Sequence, residues 1–147
     1  MVVATTAWDK PAVDAYARER GVAVFYAPSY AIGSLLLFDL TQQAARVLGD
    51  CAIVERHPPT KTDAPSGTAL TIADRITAVT DQQPPISSLR VSGVISSHEV
   101  VFGAPGQTLT LRHDVSSNGC FSDGVCQALR RVRDLPGGLT IGMDAIR

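Results

Sequence analysis

The chain has 147 residues, 45% of them hydrophobic and 18% charged, with a formal net charge of −1. Such a chain folds around a core of ordinary single-domain size rather than staying disordered. The near-neutral balance, without a basic run, argues against nucleic acid or an anionic membrane as partner. No apolar stretch approaches the ~20 residues of a membrane span. The N-terminus also lacks the charged start and long apolar region of a signal peptide. A cytoplasmic location is therefore expected, with Cys51, Cys120 and Cys126 as reduced thiols at no metal-ligand spacing.

Met1 to Thr5 reads as a short buried strand. Asp9 is placed to cap a helix that tolerates Pro11 in its first turn and ends at Gly21. Ala12, Val13, Ala15 and Tyr16 are its candidate packing positions, and Val22 to Tyr26 is a second strand. Strand, helix, strand predicts a parallel crossover. After the Ala27-Pro28-Ser29 break, Ile32 to Leu48 carries apolar residues at helical spacing, and Gly49 stops it. Cys51 to Val54 is strand-like.

A third helix is expected from Ser66 to about Val79, with Leu70, Ala73, Ile76 and Val79 inward. Antiparallel strands are expected over Ser88–Ile95, His98–Phe102 and Thr108–His113, the last two joined by the Ala104–Gln107 turn. Ser122 opens a helix to about Arg131, Pro136-Gly137-Gly138 breaks it, and a short tail follows. The fold class expected is α+β, an open α/β sandwich. Its mixed, largely antiparallel sheet carries helices on one face and follows a short βαβ. That sheet is longer than so few helices cover, which suggests subunit packing.

The richest stretch for chemistry runs from Glu55 to Leu70. It holds an imidazole (His57), a cation (Lys61) and a Ser66-Gly67-Thr68 turn at a helix start. There, hydroxyls, unpaired amides and the helix dipole attract an anion. Capping alone would also explain Ser66, and Lys61 alone would also suit a solvated loop. His98 and His113 read as core or surface histidines rather than metal ligands.

This segment resembles the substrate-binding segment of the dihydrodipicolinate reductase family, and the resemblance runs in order along nearly the whole chain. Val2 to Ala7 looks like the family's strand ending in Thr-Thr-Gly, and Ala27 to Gly33 looks like its Ala-Pro-Asn-Phe-Ser-x-Gly turn. Arg90, His98-Glu99-Val100, Leu109 to His113, Ser116-Ser117, Phe121 and Gly124 fall where the family has similar residues. The resemblance implies that 1–30 is a remnant of a nicotinamide-binding domain. It makes 31–147 the substrate and tetramerisation domain, the two forming one compact unit. It also implies a site between three segments: the loop of Thr5, Thr6 and Trp8; the turn of Tyr26, Ser29 and Tyr30; and the stretch of His57, Pro58, Lys61, Ser66, Gly67 and Thr68. Asn118 joins them from a late loop.

There are departures. No Gly-x-Gly-x-x-Gly occurs, the Thr-Thr-Gly glycine is Ala7, the family's His-His is His57-Pro58, and its Ser-Arg is Ser117-Asn118. Neither a bound cofactor nor a metal is therefore expected. The leading expectation is a cofactor-independent cyclase of the cycloaddition type, acting on a polyene or macrolactone in polyketide antibiotic biosynthesis. Stand-alone proteins resembling this domain serve that role. His57, Lys61 and Tyr30 would polarise the substrate, and the assembly would be a homotetramer. The alternatives are a dihydrodipicolinate reductase subunit whose nucleotide domain lies on another chain, and a non-catalytic ligand-binding or oligomerisation module.

Overall fold

The computed structural model describes residues 1–5 and 8–146. Its backbone divides into two units, the first comprising Met1–Ile32 with Gly119–Arg147 and the second Gly33–Asn118. The expected boundary near residue 30 places 119–147 with the second part. Their contacts place them with the first, because the chain end contributes a strand to the first unit's sheet.

In the first unit, β1 (Val2–Val3), α1 (Lys10–Glu19) and β2 (Ala23–Tyr26) form the parallel crossover read from the sequence. Asp9 caps α1, its carboxylate accepting from Ala12 N–H at 2.9 Å. β2 is central, and its Val24, Phe25 and Tyr26 are buried, as the middle strand of a parallel sheet requires. The third strand, β7 (Gly138–Ile141), pairs in parallel with β2. The expected tail is thus a strand, and Asp14 of α1 fixes it by accepting from Leu139 N–H at 2.7 Å. Between them α4 (Ser122–Arg131) buries Gly124 and Ala128.

In the second unit, α2 (Ile32–Leu48, in this unit from Gly33) leads into β3 (Cys51–His57), then α3 (Gly67–Thr80) and β4 (Ile86–Arg90). The hairpin of β5 (Ser96–Ala104) and β6 (Gln107–Val115) follows. The sheet order is β4-β3-β5-β6. β4 lies parallel to β3, with α3 as the crossover, whereas β3–β5 and β5–β6 are antiparallel. The first of the three expected antiparallel strands is therefore shorter and differently paired. It ends at Arg90, and Gly93, at φ +84°, turns the chain before β5 begins.

The register puts Ser88, Glu55, His98 and His113 in one row across one face of this sheet. Ile53 and Val100 form the apolar row beside it. That face is covered by helices. α3 buries Ala69, Ile72, Ala73 and Ile76, a face turned from the one expected, so that Leu70 is exposed. Ser34 of α2 meets His113, with Oγ and Nδ1 3.3 Å apart. The opposite face presents Arg56, Leu89, Glu99, Thr110, Arg112 and Asp114, none of them buried.

Candidate functional site

β3 builds the centre of the site by simple alternation. Ile53, Glu55 and His57 point the same way, so a strand that starts apolar ends with a carboxylate and an imidazole on the covered face. Glu55 is fully buried. A carboxylate there is tolerable only if its oxygens are met by donors. Both terminal nitrogens of Arg90 donate to Oε1 at 3.0 Å, and His57 Nδ1 lies against Oε2 in a very short contact. Burial alone would raise the Glu55 pKa. The hydrogen bonds from Ser88, His57 and Arg90 outweigh it and hold the group ionised, below its ordinary value.

Arg90 also braces the loop that follows β3. Its Nε donates to the Lys61 carbonyl at 3.2 Å and a terminal nitrogen donates to the Asp63 carbonyl at 2.7 Å. Lys61 Nζ donates to both oxygens of Asp63, at 2.7 and 2.9 Å. The loop, which contains a cis Ala64–Pro65 peptide, delivers Ser66 to the start of α3. Ser66 is buried, and its Oγ accepts from Ala69 N–H at 3.2 Å and lies 2.9 Å from His98 Nε2.

His57 and His98 stand edge to face, with ring centroids 5.2 Å apart. Burial is the main reason both imidazoles are harder to protonate than usual. For His57 the Glu55 carboxylate pushes the other way, while Lys61 and Arg90 add to the lowering. His98 is pulled down to about 3. Its Nδ1 is buried without a hydrogen-bond partner. Glu55, His57 and His98 each offer a ligand atom, all within 4.8 Å of one another. Glu55 is already committed to His57 and to a guanidinium, however, and Arg90 and Lys61 oppose a further cation. The cluster therefore suits proton handling better than a metal.

The expected site residues fall in both units. His57, Pro58, Lys61, Ser66, Gly67 and Thr68 are gathered in the second, around the end of β3 and the start of α3, and exposed Asn118 closes that unit. Thr5, Trp8, Tyr26, Ser29 and Tyr30 belong to the first, and Thr6, like Ala7, lies outside the described residues. Trp8 Nε1 donates to the Thr5 carbonyl at 2.7 Å, and its ring meets Tyr26 edge-on at 5.4 Å. Ser29 Oγ accepts from Ala31 N–H at 3.3 Å. The Tyr30 hydroxyl, expected to polarise a substrate, donates to the Val3 carbonyl at 2.7 Å, and burial pushes its pKa up to about 12. Sequence reasoning missed Glu55, Arg90 and His98 as members of the site. The alternation that puts Ile53, Glu55 and His57 on one face was the available signal.

The start of α1 is capped by the Asp9 carboxylate, an anion that disfavours a phosphate at this helix end.

On this open α/β scaffold a buried carboxylate holds an imidazole, next to a lysine and a hydroxyl-capped helix start. The chain belongs to the dihydrodipicolinate reductase C-terminus family, whose model matches residues 33–146. It is 37% identical to a 4-hydroxy-tetrahydrodipicolinate reductase of Mycobacterium sp. (strain KMS), over 84% of this chain and 59% of the relative. The enzyme of that name from Cutibacterium acnes (strain DSM 16379 / KPA171202) is 35% identical over 99% of this chain and 70% of the relative. Among solved structures, the dipicolinate-bound dihydrodipicolinate reductase from Paenisporosarcina sp. TG-14 matches with a TM-score of 0.76 and 29% identity. That match covers 99% of this chain and 64% of the other. The chain thus spans about three fifths of the mycobacterial relative.

These relatives are enzymes by name, and they correct the leading expectation from sequence. Reductases match nearly the whole chain, and nothing in the match points to a cyclase, a polyketide or an antibiotic pathway. The altered positions on which that expectation rested, Ala7, Pro58 and Asn118 among them, lie within a chain that aligns with reductases over nearly its whole length. Among the described residues, no helix is long and apolar enough to cross a membrane.

Proposed function

We propose that the stretch from His57 to Thr68 binds a carboxylate of a small cyclic dicarboxylate, and that His57 supplies the proton accompanying a reduction of that ring. The observation that carries this reading is the Glu55–His57 pair, four residues before Lys61, in a chain 37% identical to a 4-hydroxy-tetrahydrodipicolinate reductase. Lys61 and the first-turn amides of α3 attract a carboxylate. Asp63 already holds Nζ, so a ligand carboxylate competes with it. Anionic substrate near His57 raises the affinity of the imidazole for a proton, against the burial that lowers it.

A hydride adding to one carbon of a conjugated ring displaces the π pair onto a neighbouring atom, and that atom takes its proton from Nε2 of the His57 imidazolium, which is left neutral with its proton on Nδ1. Glu55 keeps the imidazole oriented while the charge changes. The hydride donor is assigned to no residue of this chain. In this reading the chain acts as a reductase substrate domain, served by a nucleotide-binding part outside the described residues. The reading includes self-association through the open sheet face of the second unit.

Calorimetric titration with dipicolinate tests it. Binding is expected to be saturable, weaker at high salt, and about tenfold or more weaker in Lys61→Ala, the loss of ~1.4 kcal/mol or more. Absence of binding, or equal binding by the variant, overturns the reading.

A further inference from the structure

We propose that Glu55, clamped by Arg90, is the positioning residue that sets the tautomer of His57: it holds the proton on Nδ1 and leaves Nε2 as the one ring nitrogen that exchanges protons with a ligand. The inference rests on the reading of His57 as proton donor and adds to it the group that makes His57 directional. Its ground is geometric. Glu55 is fully buried in the middle of β3, two residues before His57 and on the same face, so its carboxylate reaches back to the ring. An ionised carboxylate only accepts hydrogen bonds, so the nitrogen facing it must be the donor. Oε2 faces His57 Nδ1, while Oε1 takes both terminal nitrogens of Arg90 at 3.0 Å. With one oxygen fixed by a forked guanidinium, the other cannot swing away from the imidazole.

Among the described residues, the remaining charged groups around the ring do not offer a competing acceptor to Nδ1. Arg90 on β4 and Lys61 in the loop are cations, His98 on β5 meets the ring edge to face, and Asp63 is paired with Lys61. Arg90 gives the arrangement a second consequence. The same guanidinium that fixes Glu55 donates to the carbonyls of Lys61 and Asp63. The cation that meets a ligand carboxylate and the imidazole that meets its ring are therefore registered by one side chain.

Long-range nitrogen–proton correlation spectra of the full chain, uniformly labelled with nitrogen-15, test the proposal directly. In the unsubstituted protein near neutral pH, His57 is expected to carry its proton on Nδ1, with Nε2 unprotonated. A predominant Nε2–H form overturns the proposal without any variant. In Glu55→Gln the two tautomers should mix and the His57 pKa should fall by about one unit or more, because the charge that favours the imidazolium is gone. Glu55→Asp, which keeps the charge, should retain the Nδ1–H form. A Glu55→Gln spectrum with His57 tautomer and pKa unmoved overturns the proposal, and so does a Glu55→Asp that behaves like Glu55→Gln. Dipicolinate titrated into the same samples separates the two readings. If it fails to bind while the tautomer is as expected, the substrate reading falls and the positioning role stands. If it binds while the tautomer is wrong, the reverse holds.

Discussion

At the scale of single residues, what distinguishes this site is how many ionisable groups it hides. His98 is buried, and its pKa is held at about 3 against an ordinary 6.5, chiefly by burial. Below pH 6.5 the unfolded chain takes up a proton at this position while the folded chain does not. Stability therefore falls as pH drops from about 6.5 towards 3, by on the order of 5 kcal/mol over the whole window. His57 and His113 are lowered too, mainly by burial, and act in the same direction. The lowered Glu55 adds a further loss below about 4.5. Acid weakening should thus begin well above the carboxylate range. The single tryptophan, Trp8, sits in the first unit, so its fluorescence follows that unit. Hydrogen exchange at β3 and β5 amides follows the second. Exchange protection there should drop between pH 7.5 and 5, and His98→Gln should flatten the drop; a flat profile in the unsubstituted chain contradicts the assignment. The sequence made His57, Lys61 and Ser66 legible because they stand in one run of residues. His98 and Arg90 were legible only as family likenesses, because strand pairing rather than spacing brings them to Glu55.

At the scale of elements, the helices and the N-terminal crossover could be read from caps and period. Asp9, Gly21, Ser66 and Gly49 each stand at or beside the helix end expected of them. The phase of α3 could not be read, because Leu70 and Ile72 are equally apolar and only the sheet decides that Ile72 turns inward. β7 was missed because four residues behind Pro136-Gly137 carry too little pattern, and its pairing with β2 is what makes it a strand. Gly124 on α4 shows how tightly the first unit is closed. A Cβ built there would lie 2.0 Å from the Tyr30 carbonyl oxygen and 2.9 Å from its carbon. Those are backbone atoms, and they cannot step aside as a side chain tip can. Alanine would otherwise favour the helix by about 1 kcal/mol. The overlap should reverse that sign, and Gly124→Ala should destabilise the first unit by about 2–3 kcal/mol, the usual range for overpacking. Urea unfolding followed by Trp8 fluorescence measures it, and an unchanged or raised midpoint would show that α4 can shift away from the turn.

At the scale of the whole molecule, the open face of the β4-β3-β5-β6 sheet is the largest unexplained feature. Its covered face holds the apolar row and the Glu55–His57–His98 cluster. Its other face carries half-buried Val54 and Val101 beside an ion-pair network. Glu99 is met by Arg56 at 3.4 Å and by Arg112 at 3.5 Å, and Arg112 also reaches Asp114 at 2.9 Å. Antiparallel strands tolerate water on one face, so exposure alone decides nothing. What favours association is the combination. Leu89 is exposed at 42%, Val54 and Val101 lie half-buried on the same face, and both strands of the hairpin are nine residues long. Alternating charges on such a face are self-complementary under a two-fold axis, where each cation meets the partner's anion. The ion pairs themselves are surface pairs, worth little individually, so they would set orientation while the apolar patches supply affinity. Light scattering at tens of micromolar protein should give at least a dimer mass. A charge placed among the apolar and neutral positions, Leu89→Asp together with Thr110→Arg, should give monomers whose first unit unfolds as before. Raising salt should disturb the assembly less than this double substitution does, because screening weakens the rim and leaves the apolar contact intact. A monomer in the unsubstituted chain, or an unaltered mass in the double variant, removes this face as the site of assembly.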